Sequence, residues 1–276
     1  MEFAWLMENG VFCINLIMYH RYFNKMKRRF IKLLSREFID KLIKKRIWAD
    51  PIEVERSEWL FYINYLREGM IVFDVGSNIG ELTLLFSRFV GKHGKVYSFE
   101  ASSKAFKRQT DLCEIANRKN LVINHRAVSD TNGIVRLHVY DDVHLGWNSL
   151  AKRPLKEYGI DIEPIGIEEV PSVTIDSYCK QNGIAQIDLL KIDVEGAEYQ
   201  VLQGASWMLH SKKIRCLIFE FGQTTFDMGN KPEEIKYYLR KFGYRIKNVV
   251  KFNPVFPGKF NKKYAQFSMH VAKPNS

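Results

Sequence analysis

From residue 71 onward, short apolar runs alternate with stretches of helical period, which predicts a sheet whose strands are joined by helices. Ile71–Val75 is the first run, and it ends in a glycine-containing turn ahead of a helical stretch over 82–90. Lys95–Glu100 follows as a second strand, then a helix over 103–117 and a third strand at 121–126. Residues 134–139 alternate like a half-exposed strand. Residues 141–169 are rich in glycine, proline and charge and show no period, which predicts a long loop. The pattern resumes with a helix at 176–182, a strand at 188–193, a helix over 196–209 and another apolar strand at 216–221. Pro232 opens a helix that continues to Phe242, where Gly243 ends it. Residues 244–250 and 265–272 then read as strands with no helix between them, so they are expected to pair antiparallel. Alternation of this kind implies a mainly parallel sheet with helices on both faces and ligands at the carboxyl ends of the strands.

The chain divides at Pro51: residues 51–276 carry the α/β pattern, beginning with a helical stretch at 52–67, and residues 1–50 form an extension. In the extension Phe30, Leu33, Leu34, Phe38, Leu42, Ile43 and Ile47 recur at helical spacing, with lysines and arginines over much of the other face. Such a basic amphipathic helix suits packing on the main domain or a dimer contact, and peripheral contact with a membrane surface is the alternative. The extension holds much of the formal net charge of +11, in Lys25-Met26-Lys27-Arg28-Arg29 and Lys44-Lys45-Arg46. Basic charge favours nucleic acid, anionic membranes and acidic glycans alike and does not choose among them.

A hydrophobic share of 46% excludes a disordered chain and suits a sizeable core. Cys13, Cys113, Cys179 and Cys216 are far apart, and the histidines show no ligand spacing, so a structural zinc site and a disulfide framework are both disfavoured. Residues 11–19 are apolar apart from Asn15 but too short to cross a bilayer, and they lack the marks of a secretory signal. The expected compartment is the cytoplasm, at a membrane surface if the extension binds one.

The chemistry concentrates at strand ends. Val72-Phe73-Asp74-Val75-Gly76-Ser77-Asn78-Ile79-Gly80 lies where the first strand turns into the first helix, and glycines at 76 and 80 let the backbone bend and approach a ligand. Asn78 stands where a nicotinamide fingerprint needs its second glycine, and the Gly-Lys-Ser/Thr ending of a phosphate loop is absent. S-adenosylmethionine has no phosphate to cradle and fits the turn, with Gly76, Ser77, Asn78 and Gly80 around it and Asp74 holding its ammonium group directly or through water. Glu100 closes the second strand about 20 residues beyond Gly80, where an acid can accept from both ribose hydroxyls. Ala101 beside it, and Arg126 and Ala127 at the end of the third strand, stand near the expected adenine. The fourth strand ends in Leu190-Lys191-Ile192-Asp193-Val194-Glu195-Gly196-Ala197-Glu198, charges that either face the cleft or cap the next helix.

Together these residues resemble the FkbM family of methyltransferases. The resemblance runs over residues 69–242 and is most specific at residues 74–80 and 191–198. Ala127-Val128-Ser129-Asp130 with Gly133, Val173-Thr174-Ile175-Asp176 and Gly204-Ala205 support it. One departure is that Ala101-Ser102 follows Glu100, where the family commonly has a proline. The resemblance implies a Rossmann-like class I methyltransferase fold, with a mainly parallel seven-stranded sheet closed by the antiparallel pair. It also implies S-adenosylmethionine as donor and O-methylation of a sugar or a polyketide-type small molecule.

A hydroxyl acceptor must lose its proton near the moment of transfer, and Asp193 or Glu195 is the expected proton acceptor, with Lys191 and Glu220 orienting the acceptor molecule. Asp193, Glu195 and Glu220 could also ligate a divalent cation; linear spacing does not bring them together, and the metal-free reading is preferred. His144, Trp147 and Asn148 in the long loop are the expected acceptor contacts, because an aromatic face suits a sugar or macrocycle. Nucleic acid is disfavoured as partner: the fourth strand lacks the Asn/Asp-Pro-Pro-aromatic signature of amino-directed DNA enzymes, and no Pro-Cys nucleophile is present. RNA methylation and an inactive binding module of the same fold remain as alternatives, and the lack of a Tyr-x-x-x-Lys pair weighs against an oxidoreductase.

Overall fold

The computed structural model describes residues 50–275, so the basic helix expected over 30–48 lies outside the described residues. Asp50 accepts the Glu53 amide at 2.8 Å and caps helix α1 (Pro51–Tyr65), with Pro51 in its first turn. The chain then alternates as the apolar runs predict: β1 (Ile71–Val75), α2 (Glu81–Val90), β2 (Lys95–Glu100), α3 (Ser103–Ala116) and β3 (Leu121–His125). Three further strands follow, β4 (Ala127–Val128), β5 (Gly133–Val139) and β6 (Gly166–Val173). Next come α4 (Ile175–Gln181), β7 (Leu189–Ile192), α5 (Glu198–Gln203), α6 (Ser206–His210) and β8 (Leu217–Phe221). The described chain closes with α7 (Gln223–Asp227), α8 (Pro232–Lys241), β9 (Tyr244–Asn248) and β10 (Ser268–Pro274).

Seven strands among the described residues form one sheet in the order β3-β2-β1-β7-β8-β10-β9. The first five are parallel, and β10 runs antiparallel to both β8 and β9. This is the Rossmann-like class I methyltransferase arrangement, with the expected closing antiparallel pair. The order reverses between β1 and β7, where α/β sheets open a crevice for ligands.

Alternate residues of each central strand enter two apolar clusters, one on each face of the sheet. Phe73, Val75, Phe99, Leu190, Ile192 and Phe219 pack with Tyr178 of α4, Val201 of α5, Met208 of α6 and Leu239 of α8. Val72, Val96, Leu189 and Ile218 pack on the other side with Tyr62 of α1 and Phe86 and Val90 of α2. Helices therefore cover both faces. Among the described residues, no helix is long and apolar enough to cross a membrane.

Three local expectations need correction. The half-exposed strand β5 does not join the main sheet; it pairs antiparallel with β6, which pairs with β4 in a separate three-stranded sheet. β6 starts inside the stretch expected to be loop, and short 3-10 turns at Leu145–Trp147 and Leu155–Tyr158 order the rest of that stretch. The helix expected over 196–209 is two helices, Glu198–Gln203 and Ser206–His210, and the break falls at Gly204, where a side chain would overlap the Ser129 carbonyl oxygen.

His270 of β10 is fully buried, with its ring 4.6 Å from that of Phe256 and beside Phe219 and Phe221. The Phe256 amide donates to its Nε2 at 2.9 Å, and Nδ1 has no hydrogen-bond partner. Burial pushes the imidazole down from 6.5 to about 3, so the unfolded chain takes up a proton below pH 6.5 that the folded chain refuses. The stability this neutral ring contributes is complete above pH 6.5 and is lost, at about 1.4 kcal/mol per pH unit, as the pH falls toward 3. Urea unfolding between pH 7 and 4 is expected to show an acid slope shallower by that amount in His270→Gln; equal slopes would refute the assignment.

Candidate active site

β1, β2 and β7 lie side by side and release their chains into turns at one edge of the sheet. The Gly76 and Ser77 amides donate to the Phe99 carbonyl at 2.9 and 3.1 Å, and the Asp193 amide donates to the Val75 carbonyl at 3.0 Å, so the three strand ends are stitched together. Gly76 has φ +74, and a methyl group on it would overlap the Asp193 carbonyl oxygen; only glycine lets the two turns touch. Asn78 (φ 48) and Glu195 (φ 53) also adopt left-handed conformations, which for Glu195 is an uncommon backbone held by the surrounding turn.

A cavity of about 260 Å³ opens between these turns. Gly76, Asn78, Glu100, Ala101, Arg126, Ala127, Asn148, Asp193 and Glu195 all stand on its wall, so the structure brings together residues that the sequence spreads over 120 positions. Leu145, Gly146 and Leu150 of the long loop close one side. Glu100 accepts the Asn78 amide at 2.7 Å on one oxygen and the Ser102 amide at 2.8 Å on the other. Burial raises its pKa, and each oxygen keeps a lone pair for a hydroxyl donor. Arg126 Nε and Asn148 Nδ2 are buried without a hydrogen-bond partner, while Asn148 Oδ1 takes the Tyr140 amide at 2.8 Å. An acceptor carboxylate for ribose, spare N–H donors and a glycine-lined turn free of phosphate ligands fit S-adenosylmethionine.

Several expected contacts are placed elsewhere. Asp74 is fully buried below the turn, accepts from Thr83 Oγ1 at 2.6 Å and faces Lys191 Nζ at 3.4 Å, so it anchors the floor and does not itself line the cavity. Lys191 is buried as well: its Nζ donates to the Gly76 carbonyl at 3.0 Å and lies 3.4 Å from both Asp74 and Asp193. With three N–H groups and three partners it has none left for an acceptor molecule, which corrects its expected role. Burial alone would depress its pKa, but Asp193, Asp74 and Glu58 hold it above the usual lysine range. Ser77 and Gly80 turn away toward α3, where Gln109 Nε2 donates to Ser77 Oγ at 3.0 Å and Gly80 caps α2. His144 and Trp147 are off the cavity wall: His144 Nδ1 lies 2.7 Å from Asp141, and its ring sits 4.5 Å from that of Trp147.

Asp193 and Glu195 meet Glu220, from the end of β8, with one oxygen from each within 4.8 Å of the other two. Burial first, and then the Asp193 charge, push Glu195 up to about 8 against the pull of Arg153. Glu220, 6% exposed, is raised well above the ordinary carboxylate range by burial and by Glu195, Asp193 and Glu198. Glu198 accepts the Val194 and Gly196 amides at 3.1 Å each, which makes it the cap of the turn.

Sequence reasoning missed Arg153 and Asp227. Arg153 Nη1 lies 3.3 Å from Glu195, its Nε 3.6 Å from Asp227, and its guanidinium 5.7 Å over the Trp147 ring. Asp227, at the end of α7, also takes Lys262 Nζ at 2.9 Å and the Tyr158 hydroxyl. Burial raises Asp227 to about 6 although Arg153 opposes it. Both residues come from segments without periodic signal, where a charged side chain reads as solvated surface.

The methyltransferase FkbM domain model matches residues 74–246. The chain is 31% identical over 219 residues to the 31-O-demethyl-FK506 methyltransferase FkbM of Streptomyces tacrolimicus, covering 70% of this chain and 78% of that protein. Among solved structures, the methyltransferase FkbM of Methylobacillus flagellatus aligns with a TM-score of 0.45 at 12% identity, over 84% of this chain and 58% of that one. A SAM-dependent methyltransferase of Aquifex aeolicus aligns at 0.44 with 14% identity, over 85% and 97%.

Proposed function

Because the chain belongs to the FkbM methyltransferase family and is thereby a methyltransferase of the S-adenosylmethionine-dependent kind, we propose that it methylates a hydroxyl oxygen on a sugar, glycan or polyketide-type small molecule. The observation that carries this reading is the placing of Asp193 and Glu195 on the wall of the cavity that Gly76 and Glu100 also line. The name of the Streptomyces relative gives 31-O-demethyl-FK506 as its substrate, which supports an oxygen acceptor. Free, buried Cys113, Cys179 and Cys216 support a reducing, cytoplasmic compartment.

When bound, S-adenosylmethionine supplies a methyl carbon made electrophilic by a sulfonium. Glu100 would accept from ribose hydroxyls, Gly76 and Asn78 would hold the amino-acid end, and Arg126 and Asn148 would offer their spare donors to the rest of the ligand. Positioning supplies much of the rate in a displacement of this kind. The carboxylate rim of Asp193 and Glu195 receives the proton of the hydroxyl, with Lys191 fixing Asp193 and Arg153 fixing Glu195.

Calorimetric titration of S-adenosylhomocysteine, with NAD as control, tests the cofactor assignment. Wild type is expected to bind, and Glu100→Ala to bind about tenfold to a hundredfold more weakly, with Glu100→Gln between them. Tight NAD binding, or no binding of S-adenosylhomocysteine by folded wild type, would overturn the reading.

A further inference from the structure

We propose that the outer face of α1 and the basic groove beside it dock on an anionic membrane surface. α1 is apolar on two sides. Val54 and Tyr62 face the core, whereas Ile52, Trp59 and Ile63 recur at helical spacing on the opposite side, 76%, 41% and 48% exposed. Leu60, 51% exposed, widens the stripe. Single exposed apolar residues are ordinary, but a contiguous stripe on one helix marks a surface that meets something other than water. Tryptophan beside branched aliphatic residues suits the boundary between lipid headgroups and acyl chains.

A second observation gives the partner its charge. Leu60 also lines a groove of about 570 Å³ between α1 and the strands β9 and β10. Arg245, Lys247 and Lys273 stand on its wall, all of them exposed, and no acid lines it. Arg245 and Lys273 are directly opposed in the β9–β10 pair, and like charges so placed repel. Among the described residues no carboxylate pairs with any of the three, and the Lys273 ammonium lies over the Tyr65 ring at 4.5 Å. Anionic headgroups entering the groove relieve this repulsion while the stripe meets the acyl boundary.

The combination favours a membrane over other partners. The phosphate backbone of RNA would engage the three cations, but Ile52, Leu60 and Ile63 offer it neither charge nor a stacking face. A second copy of the chain would cover the stripe, but it brings the same unpaired cations on a chain whose formal net charge is +11. Lys44-Lys45-Arg46 lies just ahead of α1 in the sequence, so a polybasic run and the apolar stripe are contiguous along the chain. Stable peripheral attachment takes two signals of this kind. The groove and the methyl-transfer cavity share no lining residue, so the docking surface is separate from that site and stands whatever the acceptor.

Flotation of the full chain with lipid vesicles tests the surface without turnover. Wild type is expected to float with phosphatidylcholine vesicles containing about one-third phosphatidylglycerol, not with phosphatidylcholine alone, and to be released as salt rises. Arg245→Glu with Lys247→Glu is expected to weaken binding at least about tenfold. Arg245→Glu also sets an acid opposite Lys273, which supports the fold of that variant. Trp59→Ser with Ile63→Ser, on the exposed stripe, is expected to weaken binding to a similar degree. Lipids with brominated acyl chains should quench the tryptophan emission of wild type more than that of Trp59→Phe. Thermal unfolding confirms that each variant is folded. No flotation of wild type overturns the proposal, and so does undiminished flotation of either folded double variant, which would assign lipid binding to the basic residues ahead of Pro51. Salt-sensitive RNA binding without flotation would overturn it in favour of nucleic acid.

Discussion

Asp193→Asn is expected to lower turnover about 10²- to 10⁴-fold while leaving the Kd for S-adenosylhomocysteine little changed. Asparagine keeps the shape of the side chain and a hydrogen-bond acceptor toward Lys191, but it loses the negative charge that either receives a proton or ligates a cation. Because the side chain is 38% exposed at the cavity edge, the exchange leaves the core intact. Initial rates with an acceptor found by screening hydroxylated sugars and macrolides provide the measurement, and thermal unfolding confirms that the variant is folded. Undiminished turnover in both Asp193→Asn and Glu195→Gln would remove the rim from the mechanism.

Lys191→Met is expected to cost about 3–5 kcal/mol of stability, the largest such effect among the site residues. Methionine fills the space but leaves Asp74, fully buried, with Thr83 as its one remaining partner, and removes the donor to the Gly76 carbonyl. The loss should be partly recoverable. Adding Asp74→Leu removes the stranded charge, and replacing a buried ion pair by apolar residues of similar volume is often neutral or stabilising. A double-mutant cycle in urea therefore has a clear signature: Lys191→Met alone unfolds early, and the double variant is more stable than the single one. If the two losses simply add, Asp74 and Lys191 are not coupled as their 3.4 Å separation indicates.

The strand ends were legible because each motif carries its own context. Asp74 to Gly80 marks a strand-turn-helix, Glu100 closes an apolar run, and residues 191–198 close another, so Gly76, Glu100, Asp193 and Glu195 could be placed on one cleft. Direction within the strand was harder. Asp74 pairs in register with Lys191, so the two face the same side of the sheet and neutralise each other below the cavity; the sequence shows two charges near strand ends but not that they are each other's partners. β6 was hidden because Glu168, Glu169 and Pro171 interrupt its apolar alternation, and the strand gains its regularity from pairing with β5. The convergence of Glu220 on Asp193 and Glu195 depends on strand order, which no linear spacing encodes.

β10 enters the sheet between β8 and β9, although it follows both in the chain. Until residues 268–274 arrive, β9 has no neighbour in the main sheet, and Leu217-Ile218-Phe219-Glu220-Phe221 presents an open row of amides and carbonyls along a strand that is wholly buried when folding is complete. Four of those five side chains are large and apolar, so this stretch can template pairing with a second unfolded chain. Pairing of β10 with both strands therefore also closes these edges against aggregation, and preparations shortened ahead of Ser268 should be lost to inclusion bodies before their chemistry can be assayed.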